Sequence, residues 1–396
     1  MAQPIKKKIQ ETHPDLIKKQ PYKTLIIDGG SLLFHCMRDE SVNSIGVHYG
    51  GVFQFLLQVK MMLSKGDFDY VYCFFDNEYS GLLRWQLYHQ YKANRDKHYE
   101  QYGGSDYWKE YMSNLKNMQK YIFGKNKPKV EKEKNNWEKF IDANFDRERD
   151  ILCKYFEELY IRWYMDDIVE GDDLISYYCN NKEENEKIII ITGDMDLMQL
   201  LSEDIAIYNL QNKKFITIYN FDHYYGYYYG NTLVKKIFCG DVSDNIGNIK
   251  GLSEDGFYKL MPEAKNRLVT VDEVKDRAKK LISERIENKK KPYKLHENIV
   301  NGVSNKEYDG DFYEINEKII NLKKPLISDE AKDVMDSMMH APIDPDNRSF
   351  KNLYSYILED GIDELNGDTR FASFFSVFKK LEEKEKKRYE EYLKTK

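Results

Sequence analysis

Three short apolar runs, each finishing in or beside an aspartate, constrain this chain most. Residues 24–28 read Thr-Leu-Ile-Ile-Asp and are stopped by Gly29 and Gly30. Residues 70–76 read Tyr-Val-Tyr-Cys-Phe-Phe-Asp, and residues 188–192 are four isoleucines and a threonine followed by Gly193 and Asp194. Continuous runs of β-branched and aromatic residues are what strands buried on both faces look like. Helical spacing separates them, as in Val52, Phe55, Leu56, Val59, Met62 and Leu63. The alternation predicts an α/β fold with a mostly parallel central sheet. In such sheets ligands meet the carboxyl ends of the strands, where Asp28, Asp76 and Asp194 all fall.

Other classes drop out on composition. The longest purely aliphatic run, 188–191, is far short of the ~20 residues a membrane helix needs. The first ten residues carry lysines and no apolar stretch, so no secretory signal is expected. Five dispersed cysteines without a CxxC, and eight histidines without HxxH or HExxH spacing, suit a reducing cytoplasm and offer no zinc site. Net charge is −6; setting aside the nine carboxylates considered below leaves 58 acids against 61 Lys+Arg, or +3.

Residues 1–21 read as a polar tail, 22–240 as the α/β core and 241–396 as an all-helical lobe. An insertion over about 96–145 interrupts the core. Trp108, Tyr111, Met112, Leu115, Met118 and Ile122 repeat there at helical spacing, and seven lysines lie between Lys116 and Lys134 against Glu131 and Glu133. This is a basic helical hairpin or an ordinary solvated helix pair. Beyond Asn245 the pattern predicts helices at 254–262, 271–287 (opened by the capping box Thr270 and Glu273), 308–322, 329–340, 349–360 and 369–394. A basic loop, 289–294, joins two of them.

The chemistry-bearing residues are acids at element ends: Asp28, Asp76, Glu170, Asp172, Asp173, Asp194, Asp196, Asp241 and Asp244. Singly, an aspartate in such a place caps backbone amides more often than it binds a metal. Nine converging on one crevice would repel unless cations neutralised them. Oxygen ligands without His or Cys favour Mg²⁺, with Mn²⁺ as the substitute. So many acids fit two ions about 3.5–4 Å apart, the arrangement that hydrolyses phosphodiesters. Arg84, Lys92 and Arg95 follow Asp76 closely and are the cations expected opposite a phosphate.

Together these strings resemble the 5′-nuclease, or flap endonuclease, family. They are FDNxxSGxxR from Phe75 to Arg84, YKxNR from Tyr91 to Arg95, Glu170 with Asp172 and Asp173, TGDxDxxQLL from Thr192 to Leu201, and GDxSDNI from Gly240 to Ile246. The first is most similar to the ribonuclease H branch of T-even bacteriophages, which removes RNA primers. The resemblance implies a PIN-like core, a helical arch over the insertion, and a helical duplex-binding element after GDxSDNI. By similarity Asp28, Asp76, Glu170 and Asp172 hold a first Mg²⁺, while Asp173, Asp194, Asp196, Asp241 and Asp244 hold or support a second. Lys92 and Arg95 approach the scissile phosphate. Tyr91 and the lysines Lys116, Lys120, Lys125, Lys127, Lys129 and Lys250 are expected to touch DNA. Two departures stand out. Gly171 replaces the alanine of the usual E-A-D-D, and the duplex-binding turn carries Ser253, Glu254 and Asp255 where the family writes glycine and lysine.

The implied activity is structure-specific 5′-to-3′ exonuclease and flap cleavage on DNA flaps, forks, nicked duplexes and RNA–DNA hybrids during replication. The expected protein is a monomer in a bacterial or phage-infected cytoplasm, without a membrane and with a single-strand-binding protein or sliding clamp as partner. A haloacid-dehalogenase-like phosphatase would need D-x-D on the first strand, whereas Gly29 and Gly30 follow Asp28. A plain PIN ribonuclease would be shorter. A non-catalytic branched-DNA-binding relative would have lost ligands, and here every position is filled.

Overall fold

The computed structural model describes residues 22–93 and 136–396. The tail and most of the insertion, including Arg95, Lys116, Lys120, Lys125, Lys127 and Lys129, lie outside the described residues.

The first half alternates as the sequence predicts: β1 (Lys23–Asp28), α1 (Gly29–Cys36), α2 (Gly50–Lys65), β2 (Tyr70–Asp76), α3 (Leu82–Leu87), α4 (Asn136–Glu158), β3 (Arg162–Asp166), α5 (Gly171–Asn180) and β4 (Lys187–Thr192). Two more strands follow, β5 (Ile205–Asn209) and β6 (Lys214–Ile216), then α6 (Phe221–Tyr225) and α7 (Thr232–Cys239). The sheet order is β3-β2-β1-β4-β5-β6. All neighbours are parallel except β5 and β6. Pairing sets Asp28 opposite Phe74 and Asp76 opposite Asp166, so the strand-end acids share one edge of the sheet.

Side-chain alternation splits the core in two. Leu25, Ile27, Val71, Cys73 and Phe75 face α1, α2 and α4, whereas Ile26, Tyr72, Phe74, Ile188 and Ile190 face α5. Beyond α7 the described chain holds helices only: α8 (Glu254–Leu260), α9 (Val271–Glu287), α10 (Lys294–Asn301), α11 (Phe312–Ile320), α12 (Asp329–Met338), α13 (Phe350–Asp360), α14 (Asp368–Phe375) and α15 (Lys379–Leu393). Helix α9 opens with the expected capping box. Helices α7 to α11 build a third core with Tyr88 and Tyr91. Ala331 and Met335 of α12 cover one sheet face, and Leu353, Ile357, Phe374, Phe375, Phe378 and Leu381 cover the other. The single helix expected over 369–394 is broken after Phe375, because Phe375 and Phe378 both turn into that core.

Candidate active site

The acids gather because each ends an element on the same sheet edge. Asp28 ends β1 and caps α1, accepting 2.9 Å from the Ser31 amide and 2.6 Å from Thr192 Oγ1. Asp76 ends β2 and accepts 2.6 Å from the Gly171 amide. A Cβ on Gly171 would sit 3.2 Å from Asp76 Oδ1, so the glycine permits this close approach. Asp194 follows β4; its amide donates 2.8 Å to Thr192 Oγ1, and its Oδ1 accepts 2.7 Å from the Asp196 amide.

A second group is brought in from α7. Gly240 ends that helix at φ +68°, where a Cβ would lie 2.6 Å from the Ile246 carbonyl oxygen. The 240–247 loop therefore closes on itself through an Asp241–Ile246 bridge. Asp196, Asp241 and Asp244 then each place a carboxylate oxygen within 4.8 Å of the other two.

Asp28, Asp76, Glu170, Asp172, Asp194, Asp196 and Asp244 line one cleft of about 1070 Å³. Burial, aided by Asp194 and Asp76, raises Asp28 to about 7 despite its two hydrogen bonds. Burial and the negative charges of Asp194, Asp28, Asp76 and Asp196 push Asp172 well above the usual carboxylate range. Glu170 is the opposite case. Burial would raise it, yet the charges of Arg84 and Lys92, with the Tyr91 hydroxyl 3.1 Å away, hold it down to about 2. Asp241 is likewise held to about 2 against burial, by Lys236 and by Ser243.

The cations divide into two kinds. Lys92 lines the cleft and pairs with Glu170. Arg84, expected from the sequence to face a phosphate, lines the same cleft but is only 6% exposed. Its guanidinium pairs with Glu170 and Asp173 and donates 2.8 Å to the Ile319 carbonyl. Asp173 also departs from the expected ligand set. It is buried against Arg84 and accepts 3.0 Å from the Leu326 amide, leaving it outside the cleft lining. Tyr91, expected to touch DNA, is buried with its hydroxyl on Glu170. Lys250 is exposed on the turn beyond Asn245.

Residues 23–226, just over half the chain, match the family described as 5′-3′ exonuclease, N-terminal resolvase-like domain. The chain belongs to the 5′-3′ exonuclease family. The Bacillus subtilis 5′-3′ exonuclease is 27% identical over 251 residues, which is 61% of this chain and 70% of that protein. A Caldicellulosiruptor bescii DNA polymerase I is 32% identical over 125 residues, 30% of this chain and only 15% of the polymerase. The crystal structure of the bacteriophage T5 D15 protein, co-crystallised with metal ions, shares the fold. Its TM-score is 0.53 at 14% identity, covering 80% of this chain and 98% of that one.

In this family member the sequence reading missed several residues at the site. Lys236 of α7 pairs with Asp196 and lies 2.5 Å from Asp241. Phe34 and His35 of α1, Arg38 just beyond its end, and Phe145 and Arg149 of α4 also line the cleft. The available signal was helical spacing in α4, where Phe145 and Arg149 are four apart and share a face; Arg38 follows the last turn of α1.

Proposed function

We propose that this nuclease is a Mg²⁺-dependent, structure-specific enzyme that hydrolyses DNA 5′ flaps and RNA primers annealed to DNA. The observation that carries the proposal is the convergence of strand-end carboxylates on one cleft with Lys92 set among them. The donor set fits hard divalent ions. It is all oxygen, and burial with mutual repulsion raises Asp28 and Asp172 in a way that a bound cation would relieve. Asp28, Asp76, Glu170 and Asp172 are the residues to hold one ion, and Asp194, Asp196, Asp241 and Asp244 a second. Such ions, when bound, supply a water nucleophile at neutral pH and stabilise charge on the leaving oxygen.

The chain's own groups do the rest. Arg84 pairs with one oxygen of Glu170 and Lys92 with the other, which fixes the carboxylate at the cleft wall. Lys92, on the cleft side of Glu170, places an ammonium where charge builds on a phosphate bound at the acids. Phe34 and Phe145 offer ring faces for unpaired bases, with Arg38 and Arg149 beside them for the strand's phosphates. The inclusion of RNA primers among the substrates rests on the likeness of the Phe75–Arg84 string to the T-even branch.

The test is to replace Asp194 and Asp196 together with asparagine and follow both cleavage and binding of a labelled flap. Cleavage should vanish while binding survives; turnover at the wild-type rate would overturn the assignment of these acids.

A further inference from the structure

We infer that the duplex part of the substrate is held by the loop between α9 and α10, with Lys250 beside it, and not by the N-terminus of α8. The inference rests on the nuclease reading above and adds the surface that grips paired DNA. Helix α8 follows the turn after GDxSDNI, where a helix N-terminus would ordinarily offer free amides to a phosphate. Here one of those amides is already served. Ser253 Oγ accepts 3.1 Å from the Gly256 amide, and the first turn carries Glu254 and Asp255, both exposed. Carboxylates in a first helical turn complement the helix dipole and repel a phosphodiester.

Positive charge lies instead one element further on. From 285 to 297 the chain has Arg285, Lys289, Lys290, Lys291 and Lys294 against Glu287 and Glu297. Lys289, Lys290 and Lys291 are exposed, and among the described residues none pairs with a carboxylate. The loop that carries them is braced. Arg285 stacks 3.7 Å from the centre of the Tyr293 ring and donates 2.8 Å from Nε to the Lys291 carbonyl. The Lys290 amide donates 2.8 Å to the Arg285 carbonyl. A braced loop presents its charges without paying further ordering entropy on binding.

Packing joins this loop to the active site. Helix α10 lies against the 247–252 turn: Asn298 Nδ2 donates 2.9 Å to the Lys250 carbonyl, and a Cβ on Gly251 would be 4.0 Å from Leu295. Lys250 and Lys294 therefore flank one junction. Gly251 follows Asp244 by seven residues, so it lies within ~25 Å of the acids even at full extension. One turn of duplex spans ~34 Å. A duplex ending at the carboxylates is within reach of Lys250 and of the Lys294 end of the loop over its first turn.

The test compares a 5′ flap on a duplex with an unpaired oligonucleotide, by anisotropy across a salt series in EDTA. The variant carries Lys289→Gln, Lys290→Gln, Lys291→Gln and Lys294→Gln. Every phosphate that one of these lysines neutralises in wild type should account for a drop of about 0.9 in the log–log salt slope and roughly eightfold weaker duplex binding at about 0.1 M salt. Binding of the unpaired strand should stay as in wild type. A matched variant, Lys279→Gln with Lys280→Gln, removes two lysines of α9 already near Asp276 and Glu284 and should change neither. Wild-type slope and affinity in the quadruple variant would overturn the inference alone. So would equal weakening on both substrates or in the matched variant. Wild-type protein that binds neither substrate would overturn the nuclease reading with it.

Discussion

The main-chain amide of Lys92 donates a 2.9 Å hydrogen bond to the carbonyl of Asp244. It joins the start of the inserted segment to the acidic loop after α7. Lys92 holds φ +52°, a left-handed conformation unusual for a residue with a Cβ. The bond to Asp244 and the ion pair with Glu170 keep it there. The cation thus belongs to the acid cluster by its backbone as well as by its side chain.

Lys92→Ala should therefore lower kcat by about 10²–10³ while flap binding changes little, the loss typical of one well-placed charge donor. Single-turnover cleavage with saturating enzyme separates the two quantities. An unchanged rate would remove Lys92 from the reaction.

Arg84→Met should act on the fold first. It leaves Glu170 and Asp173 buried with a main partner gone, a change that costs about 3–5 kcal/mol when one member of a buried pair is removed. A thermal melt in EDTA measures it. A melting temperature like wild type would mean that the buried network does not depend on Arg84.

Lys236 makes a different prediction. Its ammonium sits between Asp196 and Asp241, two of the three acids whose oxygens lie within 4.8 Å of one another. Lys236→Met leaves those acids unbalanced, so the metal-free variant should melt lower than wild type. Added Mg²⁺ should then raise its melting temperature by more than it raises that of wild type. Equal Mg²⁺ shifts in the two proteins would place ion binding away from Lys236.

Asp28 sets a pH dependence. Its carboxyl is raised to about 7 in the folded chain from a usual 3.8, and Asp173 to about 6. Between about pH 4 and 7 the native state therefore binds more protons than the unfolded one, and stability should fall as pH rises through that window. Bound Mg²⁺ requires the ionised acids and should flatten or reverse the trend, with proton release on binding near pH 6.5. Melts at several pH values, with and without Mg²⁺, check both. Metal-free stability that climbs from pH 5 to 7.5 would contradict this reading.

Much of the framework was legible because the central strands are uniformly apolar. β1, β2 and β4 lie in the middle of the sheet, buried on both faces, and read as unbroken runs. β3 did not, because Arg162 and Asp166 bound a mixed segment. Its arginine is accommodated by Glu385, from the far end of the chain and 2.6 Å away, and by the Ala341 carbonyl. β5 and β6 were missed for their shortness and polar ends. The acids were legible because strand ends converge whenever strands run parallel. Partners were not. That Arg84 would be enclosed by Glu170 and Asp173, or Lys236 held between Asp196 and Asp241, depends on tertiary contacts that no local pattern encodes.

The most direct measurement is cleavage of a 5′-labelled flap and a 5′-labelled RNA–DNA hybrid, each with Mg²⁺ or with EDTA. The account predicts short 5′-phosphorylated products from both substrates with Mg²⁺ and none with EDTA. Tight binding without cleavage in Mg²⁺ would contradict it and leave the protein a binder of branched DNA.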